Sequence, residues 1–76
     1  MLLHTDAVTL IERAMGNLST RFRELLVLRE LEELSYQEVA DVMGVPIGTV
    51  MSGLSRARQA LRGALDNELK RCTGVE

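Results

Sequence analysis

Four segments of this chain carry apolar residues at intervals of three and four, the repeat of one face of an α-helix. In the first, Val8, Ile11, Met15 and Leu18 follow Asp6, a residue suited to an N-cap, and Gly16-Asn17 reads as a stop. The spacing predicts a helix over 6–16 behind a loose, flexible lead-in over 1–5. A second helix is predicted from Ser19 or Thr20 through RFRELLVLRELEEL, where Phe22, Leu25, Leu26, Leu28 and Leu31 form a broad stripe. That width suits a central helix packed on more than one side. Ser35 opens the third: Ser35 and Glu38 make an S-x-x-E capping box, and Leu34 and Val39 occupy the two positions of a hydrophobic staple. Gly44 follows Met43 as a left-handed C-cap. The fourth starts near Pro46, which fits a first helical position because proline has no N–H to leave unpaired. Val50, Leu54, Ala57, Leu61 and Leu65 then keep one face apolar to about Leu69, and residues 72–76 read as a frayed tail. The expected fold is all-α, a compact four-helix domain over 6–71 with no sheet.

Composition supports helices over strands. Apolar residues are 46% of the 76, yet aromatics are only 3%, so Leu, Val, Ala and Met must supply the core, whereas sheets draw on aromatic and β-branched residues. So short a chain forms one domain with a small core. No apolar run is long enough for a membrane span and no secretory signal opens the chain, so the cytoplasm is the expected compartment. Cys72 has no second cysteine to pair with and no Cys/His companion for a metal site. His4 stands alone in the lead-in, and no phosphate loop of the G-x-x-x-x-G-K type is present, so an enzyme is not expected, nor a cofactor, metal or small-molecule ligand.

Net charge is -2, which taken alone disfavours a polyanion as partner, but the charge is divided unevenly. Residues 1–45 hold four arginines against eight acids, while residues 46–76 hold five cations against three acids. What a polyanion feels is the local patch, so the basic second half can meet one.

The third and fourth helices, joined by a short turn after a glycine, have the form of a helix-turn-helix. Ala40 is small where two helices must approach, Gly44 lies in the turn and Val50 inside the second helix. At about 100° per residue, with Val50 at zero, Leu54, Ala57, Leu61 and Leu65 fall within about 60° of it. Ser52, Ser55, Arg56 and Gln59 cluster on the opposite side, at roughly 140–240°. In a major groove Arg pairs with guanine O6 and N7, Gln with adenine N6 and N7, and Ser serves a base edge or a phosphate. Met51 and Arg58 lie on one flank, where Arg58 is placed either to meet a phosphate or to form an intramolecular salt bridge. Gly53 lies on the other flank. A glycine there costs roughly 1 kcal/mol against alanine, which close approach of DNA or of another helix would explain, as would simple loss of a side chain.

The stretch RELLVLRELEELSYQEVADVMGVPIGTVMSGLSRARQAL closely resembles region 4 of the extracytoplasmic-function (ECF) sigma factors, bacterial subunits that direct RNA polymerase to promoters. LVLRELE, LSYQEVA, GVPIGTV and SRARQAL stand in that family's order, and the resemblance covers about residues 8–70. It implies a domain that is winged-helix-like in its helices but lacks a sheet, with the fourth helix in the major groove of the minus-35 promoter element. It places the DNA-facing positions at Met51, Ser52, Ser55 and Arg56, with Thr49 near the helix start and Arg58 further along; Gln59 comes from the helix geometry alone. The implied partners are promoter DNA, the flap of the polymerase β subunit and an anti-sigma factor. The family commonly carries arginine at the position of Gly53 and often a basic residue at that of Met51, so up to two phosphate contacts are missing and promoter affinity is expected to be modest.

The family's region 2 is absent from these residues, so the chain is expected to be an excised C-terminal domain, with a free-standing small regulator as the alternative. Two other functions compete. A sigma-like decoy that binds an anti-sigma factor without productive DNA binding fits Gly53, Met51 and the acidic first half, but has no use for Ser52, Ser55 and Arg56 together. A response-regulator output domain has a similar helix-turn-helix, though SRARQAL points to the sigma branch.

Overall fold

Leu54, Val50 and Val39 are the largest side chains wholly closed off from solvent, and they mark where the helices meet. The computed structural model describes residues 3–73 and the side chains of residues 7–71. Its order is α1 (Leu3–Gly16), α2 (Thr20–Leu26), a π-helical turn (Val27–Leu31), α3 (Tyr36–Met43) and α4 (Ile47–Thr73). Among the described residues there is no strand, and no helix is long and apolar enough to cross a membrane. His4 and Cys72 lie outside the described side chains, and residues 1–2 and 74–76 lie outside the described backbone.

α4 is the axis of the fold. Its 27 residues at 1.5 Å each run about 40 Å, nearly the whole length of a body measuring 42 × 22 × 14 Å. α1, α2 and α3 all pack against it. Val50, Leu54 and Ala57, at i, i+4 and i+7, meet Leu25 and Leu26 of α2 and Val39 and Ala40 of α3 in one buried cluster.

The third helix forms as its sequence dictates. The Ser35 hydroxyl accepts from the Glu38 N–H at 3.0 Å, and the Glu38 carboxylate accepts from the Ser35 N–H at 2.8 Å, so both halves of the capping box are made. The helix stops at Gly44, whose φ of 71° is left-handed. There the Val45 N–H donates to the Ala40 carbonyl at 3.1 Å, the six-to-one bond of a Schellman ending. Pro46 stands one residue before α4, its carbonyl accepting from Thr49 and Val50 N–H groups at 3.0 and 3.2 Å, instead of at the first helical position.

Elsewhere the structure corrects the expected elements. α1 begins at Leu3, three residues before the expected start, so Asp6 is inside the helix and residues 3–5 are not a loose lead-in. Nothing in that stretch stops a helix, since it has no glycine or proline. The expected apolar face holds at Met15, packed against the core, and at buried Leu18, but not earlier in α1. Ala14 is fully buried and Leu10 half-buried, while Val8 and Ile11 are exposed. α1 packs against α4 with its small Ala14 wholly buried, and Val8 and Ile11 are left at the rim. α4 runs past Leu69 to Thr73, so residues 72–73 are helix, not tail. Late in α4 the residue in phase with Val50 is Glu68, 3% exposed, and Leu69 faces solvent. Eighteen residues make five whole turns, so geometry takes the charged position inward; its carboxylate lies 3.5 Å from Arg71.

The second helix does not run unbroken to Leu34. After Leu26 it widens into the π turn, where the Glu32 N–H reaches back to the Val27 carbonyl at 3.0 Å and the Leu34 N–H to the Leu28 carbonyl at 3.1 Å. The widening turns Leu31 out, at 71% exposed, and brings Leu34 back against the core. The turn ends on Glu33, with φ of 59°. A side chain there costs about 1–2 kcal/mol that glycine does not pay. Glu33→Gly is therefore expected to stabilise the domain by about 1 kcal/mol, after allowing for the extra freedom of glycine when unfolded. For a chain of this size that is a rise of about 4–8 °C in thermal midpoint; an unchanged or lower midpoint in a calorimetric melt would contradict it.

Candidate nucleic-acid interface

Burial in the first turns of α4 alternates with the helical period. Val50, Leu54 and Ala57 face the core, and Thr49, Met51, Ser52, Ser55, Arg56, Arg58 and Gln59 are all exposed. Every sequence-derived candidate thus lies outside the core on the one helix, held in phase by the buried residues between them. α3 and the Gly44–Pro46 turn brace the start of α4 and leave that side uncovered.

The candidates are not equivalent. Thr49, Ser52 and Arg56 share a groove with Gly53 and with α2. The Ser52 hydroxyl donates to the Thr49 carbonyl at 3.4 Å, which leaves its oxygen free to accept. Met51, half-exposed, presents an adaptable apolar contact on the flank. Ser55 and Gln59 lie on the far side from Val50, one turn apart.

Arg58 is engaged within the domain. Its guanidinium donates to one Glu30 carboxylate oxygen through Nη2 at 2.7 Å and Nε at 3.2 Å. Hydrogen bonding to Glu30 raises its pKa above the ordinary range, outweighing the opposing effect of burial, with a lesser contribution from Tyr36. Of the two roles open to Arg58, the structure forms the salt bridge. The partners are 46% and 49% exposed, and exposed pairs contribute about 0–1 kcal/mol. Glu30→Gln is accordingly expected to change stability by less than about 1 kcal/mol, with the difference fading at high salt. A loss well beyond that in urea titration would mean the pair holds the π turn to α4.

Gly53 now has a structural reason. A Cβ at this position would lie 2.8 Å from Cδ1 of Leu25. Leu25 is 2% exposed, so α2 packs against bare α4 backbone there. Of the explanations considered, close approach of a helix is the one observed.

Sequence reasoning overlooked two residues here. Glu30 reads as an ordinary surface acid of the second helix but restrains Arg58. Arg21 lines the same groove as Ser52, Gly53 and Arg56. Its signal was available only in part: Arg21 and Leu25 are four apart and share a helix face, but that Leu25 faces Gly53 is knowable only once α2 and α4 are packed.

A short helix capped by a left-handed glycine, a tight turn, and a longer helix with one polar exposed side define a helix-turn-helix domain. Comparison with known proteins names the family. The family model described as "Sigma-70, region 4" matches residues 9–61, and the chain belongs to that family. The chain is 34% identical over 71 residues to the ECF RNA polymerase sigma-E factor of Escherichia coli (strain K12), covering 93% of this chain and 37% of that protein. It is 38% identical over 69 residues to the RNA polymerase sigma-H factor of Pseudomonas aeruginosa, covering 91% of this chain and 36% of that one. The chain therefore spans little more than a third of the length of these relatives.

Proposed function

We propose that this domain reads the minus-35 element of promoters as region 4 of an ECF sigma factor, and so helps direct RNA polymerase to the start of transcription. The observation that carries the reading is the division of α4: Val50, Leu54 and Ala57 are buried while Thr49, Met51, Ser52, Ser55, Arg56 and Gln59 share the uncovered side. In a major groove that side offers Arg56 for guanine, Gln59 for adenine and two serine hydroxyls for base edges or phosphates. The named relatives are sigma factors, and family membership supports the same role here.

A rim of exposed apolar residues supports the proposed protein contacts. Val8, Ile11 and Leu31 stand out of the surface, and Ile11 and Leu31 border one apolar groove with Met15, Leu26 and Leu61. In this reading that rim serves the polymerase β flap and an anti-sigma factor, while α4 serves DNA. The same rim, with Gly53 and Met51 in place of cations, is what a decoy for an anti-sigma factor would use.

Binding to a library of labelled minus-35-like duplexes and to scrambled duplex, at low and physiological salt, separates the two. Enrichment of particular sequences supports promoter reading. Salt-sensitive binding with no selectivity, or no binding where an anti-sigma partner still associates, would replace it with the decoy.

A further inference from the structure

We propose that Arg21 is a phosphate-contacting residue of this domain, supplied from α2, which packs against α4 at Gly53. The inference rests on the DNA-binding reading above and adds a contact from outside the helix-turn-helix.

Two independent observations bring Arg21 to the interface. The first is helix geometry. Leu25 lies against the α4 backbone at Gly53, 2.8 Å from the position a Cβ would take, and Arg21 is one turn before Leu25 on the same face of α2. It therefore stands beside the exposed side of α4, about 6 Å along α2 from the contact with Gly53. The second is the groove itself, of about 200 Å³, in which Arg21 and Arg56 are joined by Thr49 and Ser52. The Arg21 guanidinium and the Thr49 hydroxyl at this opening can donate to a phosphate oxygen, beside Arg56, whose guanidinium serves a base, and Ser52, whose hydroxyl donates to the Thr49 carbonyl. No carboxylate lines this groove among the described residues. Glu24, three residues beyond Arg21, borders a different groove with Val27, Leu28 and Val42.

The other arginines of the first half are committed elsewhere or lie apart. Arg23 donates to the Met15 and Leu18 carbonyls at 3.1 and 3.3 Å, closing the end of α1. Arg29 donates to the Leu34 carbonyl at 2.9 Å and lies 4.8 Å over the Tyr36 ring. Arg13 is in the last turn of α1. Arg21 alone of the four borders the reading side. With glycine at 53 and methionine at 51, α4 carries few cations on its flanks, and an arginine from α2 returns positive charge to the flank that Gly53 leaves bare.

A phosphate contact carries no sequence information, and that sets the test. Binding of the wild-type domain, Arg21→Ala, Arg21→Lys and Arg56→Ala is measured by fluorescence anisotropy at several salt concentrations. The two probes are a random-sequence 30-base-pair duplex and the duplex enriched from the minus-35-like library. Arg21→Ala is expected to weaken both duplexes equally, by about 3- to 10-fold near 0.1 M salt, and to lower the slope of log K against log salt by about 0.9. Arg21→Lys keeps the slope. Arg56→Ala loses the preference between the duplexes. Wild-type binding that Arg21→Ala leaves unchanged, or weakens on the enriched duplex alone, would overturn the role of Arg21 while promoter reading stands. No binding of wild type to either duplex removes both. Arg21 is exposed, and an unchanged helical circular dichroism spectrum separates loss of contact from loss of fold.

Discussion

Leu54→Ala is expected to remove about 2–5 kcal/mol of folding stability, because it deletes a side chain 1% exposed at the junction of three helices and leaves a cavity that rigid neighbours cannot fill. A chain of 76 residues holds in total roughly 4–11 kcal/mol, so this one truncation takes a large share and could unfold the domain at 37 °C. The neighbours limit relaxation: Val50 and Ala57 hold the same face of α4, and Val39 and Leu25 come from two other helices. Urea unfolding should show a lowered midpoint with an unchanged slope, since the area exposed on unfolding scarcely alters. A loss under about 1 kcal/mol would mean that α2 collapses onto the vacated space, and that the core is softer than its burial suggests. Because Leu54 lies between Ser52, Ser55 and Arg56 in one turn, DNA affinity should fall with the folded fraction and recover on cooling.

Arg56→Ala should cost about 1–3 kcal/mol on the preferred duplex, the range of one bidentate base contact, and much less on scrambled DNA. Arg56 is exposed, has no carboxylate beside it in its groove, and sits one turn after Ser52, so its guanidinium is available to a base. The stability of the domain should stay within about 0.5 kcal/mol of wild type, as for a surface change remote from any cap or core contact. Anisotropy titrations on the two duplexes, with a thermal melt of the variant, check both statements. Equal weakening on both duplexes would assign Arg56 to the backbone and move base reading to Gln59 and the serines.

What the sequence announced depended on how local the cause was. The α3 start is written in adjacent residues, Ser35 and Glu38 with Leu34 and Val39, and its end in Gly44; the capping box and the left-handed end formed as read because their bonds close within a turn. The division of α4 into a buried and an exposed side was legible for the same reason, a single period carried by Val50, Leu54 and Ala57. The π turn was not, since widening the helix after Leu26 answers a tertiary demand to return Leu34 to the core. In α1, apolar residues stand at 3, 7, 8, 10, 11, 14 and 15, enough for two competing faces. The larger side chains marked the buried face correctly at Met15 and Leu18 but not at Val8 and Ile11, which stay exposed while the small Ala14 is buried. Arg21 was invisible for a related reason: its neighbourhood is made by a crossing of two helices, and only Gly53, odd within its own helix, hinted at one.

The unbroken run of α4 has a consequence for what length changes this family member can accept. Residues 49–59 present the proposed reading side, and Leu61, Ala64 and Glu68 turn inward further along the same rod. One residue inserted between Ala57 and Leu61 would rotate one half against the other by about 100°. Either the reading side would roll into the core or the inward row would roll out of it. A two-turn insertion of about seven residues would restore the rotation within about 20°, at the expense of moving the far end about 10 Å along the axis. Insertions in this segment are therefore tolerated by phase before they are tolerated by size.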